Sequence, residues 1–250
     1  MRVSRVVAVV LAAGLLGGCQ FITDPSPDPS VTSSTAEPVP EPTTSETEPS
    51  PASPTPTPPS PDQLPGSEVT GYPDPGTALN IIGVPSTEIL NLRIAPGVDF
   101  ESIARLTPEA NLVATGRNRL LEDDQGLWYE VHGDGELGWV SAQYVAQLGA
   151  SRNVTDSFNP PPTAATRIEL IDAVVAAWDG TANPDATVVY GPVEMEDLQV
   201  RIDVLTGGDD SVLGARLFVV ADNSSAQYVV TRVTATQLCA RGLSGTGDCL

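Results

Sequence analysis

From Gln20 to Gly76 the chain is almost entirely proline, serine, threonine and acid: sixteen of its 24 prolines fall there, and no basic residue does. A stretch such as PEPTTSETEPSPASPTPTPPSP has few large apolar side chains to bury and few backbone donors to pair, so nothing offsets the entropy of ordering it. A disordered stalk is therefore expected over residues 19–76, reaching roughly 40 Å as a flexible coil or roughly 180 Å as extended polyproline II. Like charges favour the longer form. PTPTPPSP also has the composition of a PxxP-type ligand for a groove, so the stalk has a second reading as a ligand. Folded units must lie beyond it.

Before the stalk, MRVSRVVAVVLAAGLLGGC places Arg2 and Arg5 ahead of an apolar run from Val6 to Leu16, then two glycines and Cys19. The apolar run is too short for a stable membrane span and has the layout of a secretory signal. Small residues before a cysteine resemble a bacterial lipobox. That resemblance implies that residues 1–18 are a lipoprotein signal peptide and that Cys19 becomes the lipidated amino terminus, carrying palmitate-type acyl chains. More than one chain is needed, because a single one binds a membrane only marginally. The expected location is exported, anchored by lipid to the outer face of the cell membrane or to another envelope membrane.

Only Cys239 and Cys249 remain after Cys19, and an exported compartment permits them one intrachain disulfide. No histidine lies near them to complete a metal site, and no metal or cofactor is expected. The formal charge is -20, and every basic residue is arginine. Such acidity argues against nucleic acid as a partner and against adhesion to anionic surfaces by charge. The absence of lysine excludes the GxxxxGK[ST] phosphate loop, the Ser-x-x-Lys nucleophile and Schiff-base chemistry. One histidine excludes HExxH zinc sites. The carboxylate runs Glu122-Asp123-Asp124 and Asp209-Asp210 fall in expected turns with no apolar cleft to separate their pKa values, so glycoside hydrolysis has no support. The chain is expected not to be an enzyme.

From Thr77 to Gly149, short apolar alternations are broken every eight to twelve residues by turn signals: ALNIIG, EILNLRIAPG, ESIARL, ANLVATG, LWYEVHGDG and LGWVSAQYV. That spacing predicts a small all-β barrel over 77–149. Three motifs in order, Asn91-Leu92-Arg93-Ile94-Ala95-Pro96-Gly97, Trp128-Tyr129 and Gly138-Trp139-Val140-Ser141 running to Tyr144-Val145, make the segment resemble a bacterial SH3-like (SH3b) domain. RNRLLEDDQG, residues 117–126, departs from the family as a longer acidic loop. The resemblance implies a ligand groove lined by Trp128 and Tyr144, with Asn91 and Arg93 as polar neighbours. Alternation puts Trp128 and Glu130 on one face and Tyr129 and Val131 on the other. Trp128 and Tyr144 are thus expected as an exposed aromatic strip, with Tyr129 and Trp139 in the core. Ser141 and Gln143 stand where PxxP-binding eukaryotic members carry proline and asparagine, which counts against polyproline as the ligand. His132, between Val131 and the Gly133-Asp134-Gly135 turn, is expected as a turn residue.

Residues 150–162 are expected as a linker to an α+β domain over 163–250. Thr166 and Glu169 stand in capping-box spacing ahead of one helix, whose apolar stripe is read as Ile168, Ile171, Val174, Val175 and Trp178, with Gly180 as its stop. DLQVRIDV alternates, with Leu198, Val200, Ile202 and Val204 inward. Residues 212–221 and 226–236 read as a hairpin, so one helix should cover an antiparallel sheet of three or four strands.

The fold class expected is therefore multidomain: a disordered Pro-rich stalk, a small all-β SH3-like barrel, then an α+β domain closed by a disulfide loop. The leading functional expectation is a non-catalytic envelope lipoprotein whose SH3-like module binds peptidoglycan or a wall-associated peptide. The alternative is a protein-interaction lipoprotein whose carboxyl-terminal domain docks an envelope partner, with the barrel as scaffold.

Overall fold

The structure is a computed structural model that describes residues 57–250 apart from 123–124, 180–184, 207–210 and 225. The expected signal peptide, Cys19, stalk residues 20–56, Asp123-Asp124, Gly180 and Asp209-Asp210 lie outside the described residues. Thirteen strands and one helix follow in order: β1 (Ser67–Glu68), β2 (Ala78–Ile81), β3 (Leu90–Arg93), β4 (Ser102–Leu106), β5 (Asn111–Leu120), β6 (Leu127–Gly133), β7 (Glu136–Ser141), β8 (Val145–Asn153), β9 (Thr163–Ala164), α1 (Arg167–Asp179), β10 (Ala186–Glu194), β11 (Leu198–Leu205), β12 (Val212–Asp222) and β13 (Tyr228–Cys239). The main ladder runs β10-β11-β12-β13-β8-β2-β5-β6-β7-β3-β4, with β1 beside β5 and β9 beside β13. The described fold is thus mostly antiparallel sheet with a single helix.

The amino-terminal lobe packs around Leu79, Ile81, Leu92, Leu106, Leu112, Tyr129, Val131 and Val140. This cluster joins Leu106 of β4 to Leu79 and Ile81 of β2, strands far apart on the ladder, so the sheet wraps around one core. Among the described residues the ladder stays an open path, and no pairing joins its ends into the expected closed barrel.

The fold begins earlier than residue 77. β1 pairs with β5 through Ser67 and Glu68, Tyr72 packs edge-on against Tyr129 at 6.4 Å, and the Asn118 amide donates to the Tyr72 carbonyl at 3.2 Å. The tail of the expected stalk is recruited because Leu64, Val69 and Tyr72 give it apolar anchors that the preceding repeats lack. Their proline-rich surroundings hid them.

The expected 117–126 loop is also partly strand, since β5 runs on to Leu120 and pairs with β6 through Asn118–Tyr129, Arg119–Trp128 and Leu120–Leu127. An irregularity between Ala114 and Asn118 separates the two halves of β5. Gly116 sits there at φ 88°, where an added Cβ would meet Pro75 at 2.6 Å. The β6–β7 hairpin turns on Asp134 (φ 51°) and Gly135 (φ 84°), both left-handed as a type I′ turn requires. His132 is exposed beside it, opposite Leu137.

β8 belongs to both lobes. Val145 and Ala146 pair with β2, whereas Gln147 to Asn153 pair with β13, so the expected linker opens inside a shared strand. Beyond it Val154 and Phe158 are buried in the second core, and Phe158 stacks on Trp178 at 6.2 Å. Ser, Asn and Pro between these anchors gave the segment its linker composition.

In the carboxyl-terminal lobe α1 covers β11–β13. Its capping box is formed: the Thr166 amide donates to Glu169 Oε2 at 3.1 Å, and the Glu169 amide donates to Thr166 Oγ1 at 3.3 Å. Leu170, Val174 and Val175 are buried against the sheet, with Ile171 and Trp178 half-buried, but Ile168 is 73% exposed. The stripe is rotated from the expected one: Leu170 joins it in the first turn, and Ile168 is left at its edge. Leu198, Val200, Ile202 and Val204 face inward as expected. Cys239 and Cys249 form a disulfide with a Cα–Cα distance of 5.1 Å.

Candidate functional site

A cleft of about 790 Å3 opens in the amino-terminal lobe. Three segments line it: Gly83–Leu90 between β2 and β3, Gln125–Trp128 entering β6, and Ser141–Tyr144 after β7. Asn91, Arg93 and Val98 complete the wall. Asn91, Arg93, Trp128 and Tyr144, far apart in sequence, are thus brought to one cavity.

Their roles differ from expectation in one respect. Trp128 is only 3% exposed and forms part of the cleft's floor rather than an exposed strip. Its indole N–H donates to the Gln125 carbonyl at 3.0 Å, so the turn before β6 folds over the ring. Tyr144, at 38% exposure, is the aromatic available to a ligand.

Trp139 is buried, but register puts it directly opposite Glu130, on the face away from Tyr129, Val131 and Val140. It is covered by Arg117, whose guanidinium carbon lies 5.7 Å from the ring centre. Arg117 also pairs with Glu130 at 2.6 Å, and Thr115 donates to the same carboxylate at 2.8 Å. Both faces of β6 are therefore buried, which a two-residue period cannot reveal.

The polar wall is held in place. Arg93 Nη1 donates to the Phe100 carbonyl at 2.6 Å, and its side chain lines the cleft. Asn91 Oδ1 accepts from the Ser102 hydroxyl at 3.1 Å. Gln125 Oε1 accepts the Val98 amide at 3.1 Å and ties two rims together. Glu88 supplies a carboxylate opposite in charge to Arg93. Sequence reasoning missed Val84, Pro85, Glu88, Ile89, Val98 and Gln125. The only signal was the apolar GVPSTEI loop between two strands.

Burial raises the pKa of two tyrosines in this lobe: Tyr72 by desolvation and by Tyr129 beside it, Tyr129 by desolvation. Both stay neutral across the physiological range. Among the described residues no group of three or more His, Cys, Asp or Glu side chains could hold a metal ion.

Residues 89–146 match the family model of the bacterial SH3 domain, a span that runs from the cleft's first wall through Tyr144 into β8. This segment is similar to a bacterial SH3 domain. No curated protein and no solved structure matches the chain significantly. The SH3 domain carries most of the cleft; Gly83, Val84, Pro85 and Glu88 lie outside the matched span. At the family level such a domain points to binding of cell-wall material, and with the disulfide to an extracellular or envelope location. No helix among the described residues is long and apolar enough to cross a membrane.

Proposed function

We propose that this protein is a non-catalytic envelope lipoprotein, lipidated at Cys19, whose SH3 cleft binds peptidoglycan through its stem peptide. The observation that carries the reading is the convergence of Asn91, Arg93, Trp128 and Tyr144 on one cleft of a domain whose family is wall-associated. Opposite charges on Glu88 and Arg93, with apolar Val84, Pro85, Ile89 and Val98 between segments, suit a short zwitterionic peptide better than a uniformly charged polymer. Polar side chains from three segments would fix its orientation, and Tyr144 would supply the contact area. Lipid at Cys19 holds the chain to a membrane.

The test is co-sedimentation of the full-length chain in detergent with purified peptidoglycan. Retention of wild type and about tenfold weaker binding by Tyr144→Ala are expected, since an exposed tyrosine at a contact centre is commonly worth 1 kcal/mol or more. No retention of wild type refutes the reading.

A second reading, docking of an envelope protein through the carboxyl-terminal lobe, is favoured by a separate observation. On the sheet face away from α1, the exposed Arg232 lies 5.9 Å from the Phe218 ring centre, whereas Arg201, 4.7 Å from that of Tyr190, is already paired with Glu109 at 3.3 Å. Aromatic and arginine side chains are enriched in protein interfaces. In-cell crosslinking lost on Arg232→Glu but kept in Tyr144→Ala would favour it.

A further inference from the structure

One wall of the cleft is fastened to the other lobe. Gly83, Val84, Pro85, Glu88 and Ile89 line the cavity, yet the backbone of this loop is held by strands β10 and β11. The Gly83 amide donates to Asp203 Oδ2 at 3.0 Å. The Ser86 amide donates to the Val188 carbonyl at 2.9 Å, and its hydroxyl to the Gly191 carbonyl at 3.3 Å. Asp203 is fully buried and is itself fixed by Arg216, with Nε on Oδ1 at 2.6 Å and Nη2 on Oδ2 at 2.8 Å. The same Nη2 reaches the Ile81 carbonyl at 2.6 Å, two residues before Gly83. Between them, the Ile82 amide donates to the Tyr144 carbonyl at 2.9 Å, so the loop also touches the opposite wall.

The pattern is directional. A buried carboxylate with both oxygens engaged is a rigid reference point, and one of its oxygens is spent on a backbone amide of the ligand-facing loop. The β2–β3 loop therefore has no independent choice of position: β8 joins the sheets, and Asp203, Val188 and Gly191 set where the wall stands. From this we infer that the carboxyl-terminal lobe sets the shape of the SH3 cleft, with Asp203 and Arg216 as positioning residues for the Gly83–Ile89 wall. The inference rests on the reading of the cleft as a ligand site, but the placement of the wall can be measured without ligand.

The experiment uses the full-length chain in detergent with two variants, Asp203→Asn and Ser86→Ala. Asparagine keeps the shape of Asp203 and removes the charge that orders Arg216 and the Gly83 amide. Ser86 is exposed, so alanine there removes the bond to Gly191 without threatening the fold. Three signals are read: amide exchange at Gly83 and Ser86, the Trp128 indole N–H resonance, and affinity for a soluble disaccharide-peptide fragment of peptidoglycan. Asp203→Asn should release the Gly83 and Ser86 amides, shift the Trp128 indole signal and weaken fragment binding about fivefold, while Val131 and Val140 amides stay protected. Ser86→Ala should do the same to a smaller extent, about twofold in affinity. Released loop amides with an unmoved indole signal and unchanged affinity would overturn the inference. Should wild type fail to bind the fragment, the ligand reading falls, and the indole signal alone decides: a shift in Asp203→Asn upholds the coupling and no shift refutes it. Should Asp203→Asn unfold the carboxyl-terminal sheet, Ser86→Ala carries the same decision.

Discussion

Two buried carboxylates in this molecule are each paired with an arginine thirteen residues away, and the two pairs reach differently. Glu130–Arg117 closes within the β5–β6 hairpin. Its arginine side chain is 44% exposed and lies over Trp139, so the pair roofs one face of the SH3 lobe and ends there. Asp203–Arg216 spans β11 and β12, with side chains 0% and 11% exposed, and its remaining hydrogen bonds cross to Ile81 and Gly83 in the other lobe. The same chemistry thus covers a surface in one place and joins two sheets in another. The difference lies in burial: a sealed pair must satisfy every lone pair and proton nearby, and here the nearest partners belong to the neighbouring lobe.

Removing one member of the sealed pair is the most damaging way to test this. Asp203→Ala leaves the Arg216 guanidinium buried without its counter-charge, and a loss of about 3–5 kcal/mol in chemical denaturation is expected. Because the pair joins the lobes, intrinsic fluorescence from Trp128 and Trp139 and far-ultraviolet dichroism should cease to report one common transition. A coincident transition with a loss below about 1 kcal/mol would reduce the pair to an ordinary surface contact.

The disulfide is the second fastening near the junction. The loop it closes carries Gly247, whose carbonyl accepts the Ala150 amide of β8 at 2.8 Å. Cys239→Ser with Cys249→Ser should cost about 2–3 kcal/mol in the chain-entropy account of a short loop. Tail amides near Gly247 should lose exchange protection before those of β11.

Glu130→Ala should cost less, about 1–2 kcal/mol, because its half-exposed arginine regains water when the carboxylate goes. Trp139 fluorescence should respond as Arg117 leaves its ring. A cost equal to that of Asp203→Ala would erase the contrast between the pairs.

How much of this was legible in the sequence follows from the same contrast. The SH3 motifs, the turn at Asp134-Gly135, the cap at Thr166 and Glu169, the inward face of β11 and the disulfide are local patterns, each set by a few neighbouring residues. Asn91, Arg93, Trp128 and Tyr144 were legible as cleft residues because the family motifs contain them. What stayed hidden is long-range. Asp203 reads as one more polar residue on the outer face of an alternating strand, and nothing in DLQVRIDV says that this face meets another sheet. Trp128 was read as exposed for the mirror-image reason: alternation assigns a face but not what covers it, here the Gln125 turn. Residues 61–76 and 150–158 were read by composition, which a few anchors such as Tyr72 and Phe158 overrule once a core is present to receive them.

The smallest expected effect at neutral pH concerns Tyr72, the anchor that composition concealed. Its pKa is pushed up chiefly by burial of a hydroxyl that has no hydrogen-bond partner, and further by Tyr129. An unfolded chain would lose this phenolic proton near pH 10, whereas the folded protein holds it to higher pH. Between those two values the unfolded state binds fewer protons, so stability is complete below about pH 10 and falls as pH rises further. Tyr72→Phe removes the titrating group and keeps the ring against Tyr129. Stability at pH 7 should change by less than about 1 kcal/mol, because the lost hydroxyl was buried. The alkaline limb of the stability curve should become shallower, with Tyr129 supplying what remains from this core. An unchanged alkaline limb would place Tyr72 outside the SH3 core and return residues 61–76 to the stalk.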